Sequence, residues 1–291
     1  MINLHHCDNL QLMPLLHKEI IDVICIDPPY LYLKGQKLER PFDENLFFSE
    51  CKRLLTKDGF IVMFGRGTSF YRWNTLLDGI GFVFKEEIVW DKSYSSSPLL
   101  TLSRVHETIS IFSKGEGSIN RVKVPYLEMK SENVSDIIQD IKRLKSVFSN
   151  TKSLDAVLKY LQDGEITYDG DYVNSTTITG GKRRIDRCLA VVSQIEKGLN
   201  EKSIIKEVRD HYTAIHPTQK PVRLIERLLS LVIPEKPRNE ITIADFFGGS
   251  MSTMEAVYNM GMNGIATEID EEYFLLGQKR LQQHQSQTKL F

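Results

Sequence analysis

No two of the four cysteines stand at metal-knuckle or redox spacing: Cys7, Cys25, Cys51 and Cys188 are widely separated and sit mostly among apolar neighbours. They read as reduced thiols, which excludes a disulfide framework and favours a cytoplasmic protein. Long apolar runs are missing too. Stretches such as Ile20 to Ile26 contain a charge and are far too short to cross a bilayer, and the opening residues carry no charged-then-apolar leader pattern, so no membrane partner is expected. An excess of positive charge is also lacking: 37 Lys and Arg against 38 Asp and Glu leave a net charge of −1, so any nucleic-acid surface has to be a local arrangement of basic residues. His5, His6 and Cys7 are consecutive on a short strand whose side chains alternate faces, and no metal site is expected from them. Repeats and low-complexity tracts are absent. What remains, 41% apolar and 26% charged residues over 291 positions, is ordinary globular composition, enough for one large α/β domain or a core with an inserted module.

Strand-like runs alternate with helical patterns at both ends of the chain, which argues for a mostly parallel sheet covered by helices. Ile2 to His5 and Ile21 to Ile26 read as strands, the second stopped by Asp27-Pro28-Pro29, where proline cannot continue a ladder. Asp43 caps a helix through Leu55, Lys57-Asp58-Gly59 closes it, and Phe60 to Phe64 follows as a buried strand. A helix over Thr68 to Ile80 and strands over Phe82 to Trp90 and His106 to Phe112 complete half of an α/β domain. After Lys114-Gly115 the alternation is lost until about Asp210, and this stretch reads as an insertion. It holds a Thr/Gly-rich loop from Thr176 leading into Lys182, Arg183, Arg184 and Arg187. Alternation resumes with a helix over Pro221 to Val232, a strand over Ile241 to Ala244, a helix over Ser252 to Met260 and a strand over Gly264 to Ile269. The expected division is therefore 1–114, 115–210 and 211–291.

Three motifs carry chemistry. Asp27-Pro28-Pro29-Tyr30 ends a buried strand, at the edge of an open α/β sheet where ligands bind. The two prolines have no amide hydrogen, so the Pro28 carbonyl is free to face the crevice beside the Asp27 carboxylate. Two acceptors in one site suit the two N–H groups of a base amino group, and Tyr30 offers a face for stacking an extruded base. An ordinary strand-ending turn is the plainer reading. The second motif, Asp245-Phe246-Phe247-Gly248-Gly249-Ser250, runs from a strand through a small-residue turn into a helix, and Glu268 ends the next strand near the spacing at which an acid takes ribose hydroxyls. The third, His216-Pro217-Thr218-Gln219-Lys220-Pro221, precedes a helix and could be only its entry. Asp8 reads as an Asx turn or helix cap.

With these residues in this order, the chain resembles the β-class amino-methylating DNA methyltransferases, which make N6-methyladenine or N4-methylcytosine. In that class the catalytic tetrapeptide comes first, the target-recognition module second and the cofactor loop last. The resemblance covers residues 1 to about 114 and 212 to 284, including Trp90-Asp91-Lys92 and His106-Glu107, and leaves the middle unmatched. It implies a Rossmann-like α/β fold with a seven-stranded sheet, a circularly permuted motif order and an inserted target-recognition module. It implies S-adenosylmethionine as cofactor and double-stranded DNA as substrate, and it is compatible with a homodimer and a cognate restriction endonuclease.

Carried over residue by residue, Asp27, Pro28, Pro29 and Tyr30 form the catalytic tetrapeptide. Asp8, Asp27, Lys220, Asp245, Phe246, Phe247, Gly248, Gly249, Ser250 and Glu268 form the cofactor site, while Lys182, Arg183, Arg184 and Arg187 are expected to contact DNA. The aspartate form of the tetrapeptide favours adenine over cytosine. Two positions depart from the usual loop: Phe246 replaces a proline and Met251 replaces a glycine. An N4-cytosine enzyme or an inactive DNA-recognition partner of the same fold are the alternatives. A nicotinamide dehydrogenase would need a Gly-x-Gly-x-x-Gly loop after the first strand, which is not there. A protein-glutamine methyltransferase would resemble enzymes with asparagine at position 27 and the cofactor loop first.

Overall fold

A computed structural model describes residues 1–31, 39–92, 101–125, 128, 134–147, 151–167, 173–174, 183–184, 187–208, 215–217 and 219–288. The chain divides into two compact units, Met1–Asn120 with Lys202–Phe291, and Arg121–Glu201.

Among its described residues the first unit has the strands β1 (Ile2–His6), β2 (Ile21–Ile26), β3 (Leu55–Gly65), β4 (Val83–Asp91), β5 (His106–Ser113), β6 (Ile204–Lys206), β7 (Thr242–Asp245) and β8 (Asn263–Glu268). They lie in the order β1-β8-β7-β2-β3-β5-β4-β6. Only β5 runs against its neighbours, so the carboxyl ends of the other seven collect on one edge. The helices are α1 (Asn9–Leu12), α2 (Glu44–Leu54), α3 (Gly67–Gly79), α4 (Val222–Val232), α5 (Ser252–Asn259) and α6 (Glu271–Thr288).

Local sequence explains these elements. All of β2 is buried, as a strand covered on both faces requires, and its one charge is satisfied: Asp22 Oδ2 accepts from the Thr242 amide at 2.9 Å and lies 2.8 Å from Lys236 Nζ. In α2, Phe47, Phe48, Cys51 and Leu54 recur at helical spacing and are buried, while Asp43 Oδ1 caps the first turn through the Leu46 amide at 3.0 Å. Together with Phe70, Trp73 and Leu77 of α3 they pack on Ile24, Ile26, Ile61 and Met63 of the sheet. Each large side chain so buried contributes roughly 1.5–3 kcal/mol.

Three expectations change. Lys57-Asp58-Gly59 does not separate helix from strand but lies inside β3. Between Ile21↔Leu55 and Val23↔Phe60 the ladder advances two residues along β2 and five along β3, so the polar triplet is accommodated as a bulge. Among the described residues the sheet has eight strands rather than the expected seven: β6 pairs in parallel with Val89–Asp91 at the outer edge. It lies in the stretch assigned to the insertion because three residues are too few to show alternation, and the second unit is accordingly narrower than 115–210.

That second unit contains helices Val134–Val147, Lys152–Asp163 and Arg187–Lys197, and two short antiparallel pairs, Lys123–Val124 with Leu199–Asn200 and Val173–Asn174 with Arg183–Arg184. Ala156, Cys188 and Val192 form a small buried nucleus with Tyr160.

Candidate active site

A cleft of about 360 Å³ opens at the carboxyl edge of the main sheet. The tetrapeptide 27–30 leaves β2, the loop 246–250 leaves β7, Glu268 ends β8, and Asp8 follows β1. Tetrapeptide and cofactor loop meet because β2 and β7 are neighbours in the sheet. Every residue proposed from sequence for the tetrapeptide and the cofactor site lines this one cleft.

The tetrapeptide is held tightly. Tyr30 donates its hydroxyl to Asp27 Oδ1 at 2.6 Å, and Lys220 Nζ binds Asp27 Oδ2. Ser69, in the first turns of α3, donates to the Tyr30 carbonyl at 2.7 Å. Lys220 is only 7% exposed and its ammonium also lies 3.2 Å from Glu107 Oε2, with the Phe64 ring beneath it at 5.0 Å. Glu107 in turn accepts from Lys92 Nζ at 3.1 Å. Lys92, Glu107, Lys220 and Asp27 thus alternate in sign along a buried chain.

Burial pushes Asp27 above the ordinary carboxylate range and Glu107 adds to this, while Lys220 pulls the other way. Burial also opposes charge on Glu107, but the two lysines outweigh it and bring its pKa down to about 2. In Lys220 burial works against the ammonium, and the Asp27 and Glu107 carboxylates still hold it above the usual lysine value.

On the other side, Asp245 is 5% exposed and its pKa is pushed up to about 7 by burial, against hydrogen bonds from Thr253 and from the Phe247 amide at 3.0 Å. Glu268 spans the loop, accepting from the Gly249 amide and from the Asp270 amide, each at 2.8 Å. Asp8 caps α1 through the Leu10 amide at 2.8 Å. Gly249 has φ +49, and a Cβ there would stand 3.5 Å from the His216 ring, so glycine keeps this stretch of backbone open. Ser250 Oγ lies 3.0 Å from Ser252 Oγ.

Two of the cleft residues also make contacts that the sequence did not indicate. Phe246 turns its ring into the core, 2% exposed and 6.2 Å from the Phe47 ring, while its carbonyl accepts from Asn9 Nδ2 at 3.1 Å and Thr267 Oγ1 at 2.9 Å. It shapes the loop from beneath. Lys220, expected at the cofactor, bonds both Asp27 and Glu107 at the cleft wall. Lys92 and Glu107 had no role assigned from sequence. Lys92 directly follows β4 and Glu107 stands at the cleft end of β5, and the Trp90↔Glu107 register brings them together. Of the basic cluster, Lys182 and the Thr/Gly loop before it lie outside the described residues. Arg183–Arg184 form one strand of a short pair and Arg187 opens a helix; the side chains of these three arginines are likewise outside the description.

The pattern of the DNA methylase family matches residues 21–279. The Type II methyltransferase M.HinfI of Haemophilus influenzae is 23% identical over 301 residues, covering 95% of this chain and 67% of that protein. Among solved structures, the complex of M1.HpyAVI with SAM has a TM-score of 0.56 at 19% identity, covering 96% of this chain and all of the other. The PvuII DNA methyltransferase, described as cytosine-N4-specific, has a TM-score of 0.56 at 13% identity, covering 97% and 90% of the two chains. At such identities the likeness to solved structures is one of fold.

Proposed function

This chain belongs to the N6/N4 DNA methylase family, and from that premise we propose that it methylates the exocyclic N6 amino group of adenine in duplex DNA, with S-adenosylmethionine as methyl donor. The observation that carries the reading is the Asp27-Pro28-Pro29-Tyr30 turn opening onto the same cleft as the glycine loop and its two acids, Asp245 and Glu268. The residues fit the donor. A cleft of about 360 Å³ is within the range for a nucleoside-sized ligand. Asp8 and Glu268 offer carboxylates to hydroxyl and amino groups, and the backbone of 247–250 is kept open by Gly248 and Gly249. Bound there, S-adenosylmethionine would supply an electrophilic methyl group.

The protein's part is to prepare the base. An adenine extruded from the duplex presents two amino hydrogens, one for the Asp27 carboxylate and one for the Pro28 carbonyl. Holding both draws the nitrogen lone pair out of conjugation with the ring and makes it nucleophilic. Tyr30, tied to Asp27 by its hydroxyl, sets its ring beside the base. Asp27, whose pKa stands above the ordinary carboxylate value, accepts the proton the nitrogen gives up on methylation. The unit Arg121–Glu201 serves target recognition, with phosphate contacts for grip and a few side chains reading base edges.

The experiment is methyl transfer to mixed-sequence DNA followed by nucleoside mass spectrometry, with Asp27→Ala alongside. N6-methyladenine from wild type and none from the variant is expected, with cofactor binding retained. N4-methylcytosine alone would change the base and keep the mechanism. Substantial activity in Asp27→Ala would overturn the assignment.

A further inference from the structure

We propose that Arg66 and Arg104 form a phosphate clamp that holds the sugar–phosphate backbone next to the base entering the Asp27 cleft. The inference rests on the DNA reading above and names a part of its substrate surface. Both side chains line the cleft and are half-buried. The other lysines and arginines lining it have carboxylate partners: Lys92 pairs with Glu107, Lys220 with Glu107 and Asp27, and Arg40 with Asp270 at 3.3 Å. The guanidinium groups of Arg66 and Arg104 make no ion pair or hydrogen bond among the described residues. Two cations therefore face a cleft whose own acids are already matched to other cations or to backbone amides.

Strand order places them on the substrate side. Along the cleft edge the sequence of positions is Glu268 at β8, the loop 246–250 at β7, the tetrapeptide at β2, Arg66 directly after β3, and Arg104 just before β5. At about 4.8 Å per strand, Arg66 stands roughly 10 Å and Arg104 roughly 14 Å from the strand that carries the cofactor loop, across Asp27 from it. The local frame is firm. Gly65 pairs with Thr108 and accepts its hydroxyl at 2.9 Å, joining the ends of β3 and β5, and the Ser69 bond to the Tyr30 carbonyl fixes the start of α3 against the tetrapeptide. An extruded nucleotide brings a phosphate on either side of its sugar, and a guanidinium fork matches phosphate oxygens two at a time.

The test uses the full chain with Arg66→Gln, Arg104→Gln and the double variant. Each is titrated with a mixed-sequence 30-base-pair duplex at several salt concentrations and, separately, with S-adenosylmethionine by calorimetry. Each substitution is expected to reduce the slope of log K against log salt by about 0.9 while leaving cofactor affinity and melting temperature unchanged. Arg66→Lys and Arg104→Lys, which keep the charge, should restore most of the slope. An unchanged slope in the double variant overturns the clamp. So does a loss of cofactor affinity at unchanged slope, which would give the arginines to the carboxylate of the cofactor. If wild type methylates the DNA while the slopes do not move, only the clamp falls; if wild type neither binds nor methylates DNA, the functional reading falls with it.

Discussion

The Lys220 ammonium lies 3.2 Å from Glu107 Oε2 while also binding Oδ2 of Asp27, and Lys92 reaches Glu107 from the other side at 3.1 Å. Each charge in this buried chain is offset by its neighbours, so the members cannot be removed singly without leaving an uncompensated charge. The chain also ties the proposed catalytic carboxylate to residues far from it in sequence, Lys220 being 193 positions away.

Lys220→Met is therefore expected to destabilise the protein by about 3–5 kcal/mol in urea unfolding. Any residual methyl transfer should require higher pH, because Asp27 loses the cation that opposes burial and the Glu107 charge. Glu107→Gln removes the repelling charge and should move the acid limb of the pH–rate profile downward. Identical profiles in wild type and Glu107→Gln would separate Glu107 from the ionisation of Asp27.

Asp245 is expected to make the stability of the cofactor-free protein fall through neutral pH. Its folded pKa of about 7 is above the unfolded value, so its contribution to stability is fully present below about pH 4 and is lost as pH rises through 7. Asp245→Asn should flatten that decline and leave the cofactor-free variant more stable than wild type at pH 8, by an amount on the order of a few kcal/mol. Thermal unfolding from pH 4 to 8 reads this directly, and parallel curves would remove Asp245 as the cause.

Met251, where the resemblance drawn from sequence implies glycine, adopts φ 59, a left-handed conformation. Its buried side chain lies where a Cβ on Gly277 would stand 2.6 Å from Met251 Cγ and a Cβ on Gly248 2.9 Å from its sulfur. Met251→Gly should relieve about 1 kcal/mol of backbone strain but leave a cavity costing more, so net destabilisation of about 1–4 kcal/mol is expected. Gly277→Ala should destabilise wild type by about 1–3 kcal/mol and cost less in the Met251→Gly background. Strict additivity in the double-mutant cycle would show that the two positions do not compensate.

In the second unit, neutralising Lys182, Arg183, Arg184 and Arg187 together is expected to weaken DNA binding on every sequence and to lower the salt slope by roughly one for each lost phosphate contact. If one arginine reads a guanine edge, its single substitution should instead relax specificity at one position by about 1–3 kcal/mol. Unchanged affinity and slope in the quadruple variant would move recognition elsewhere in Arg121–Glu201.

The sequence by itself determined β1 to β5, β7, β8 and α2 to α5 of the main unit and their order. Short apolar runs marked the strands, helical spacing marked α2 and α4, and the Asp27 turn and Gly248-Gly249 loop appeared where strands stop, because these patterns record backbone conformation and burial over a few adjacent residues. Only the tertiary structure decided which strand ends meet. It joined Lys220 to Asp27 and Lys92 to Glu107, turned Phe246 inward, and added β6 as an eighth strand. Those outcomes depend on sheet order and register, through which residues distant in the chain share one dry edge where a buried charge must find its opposite.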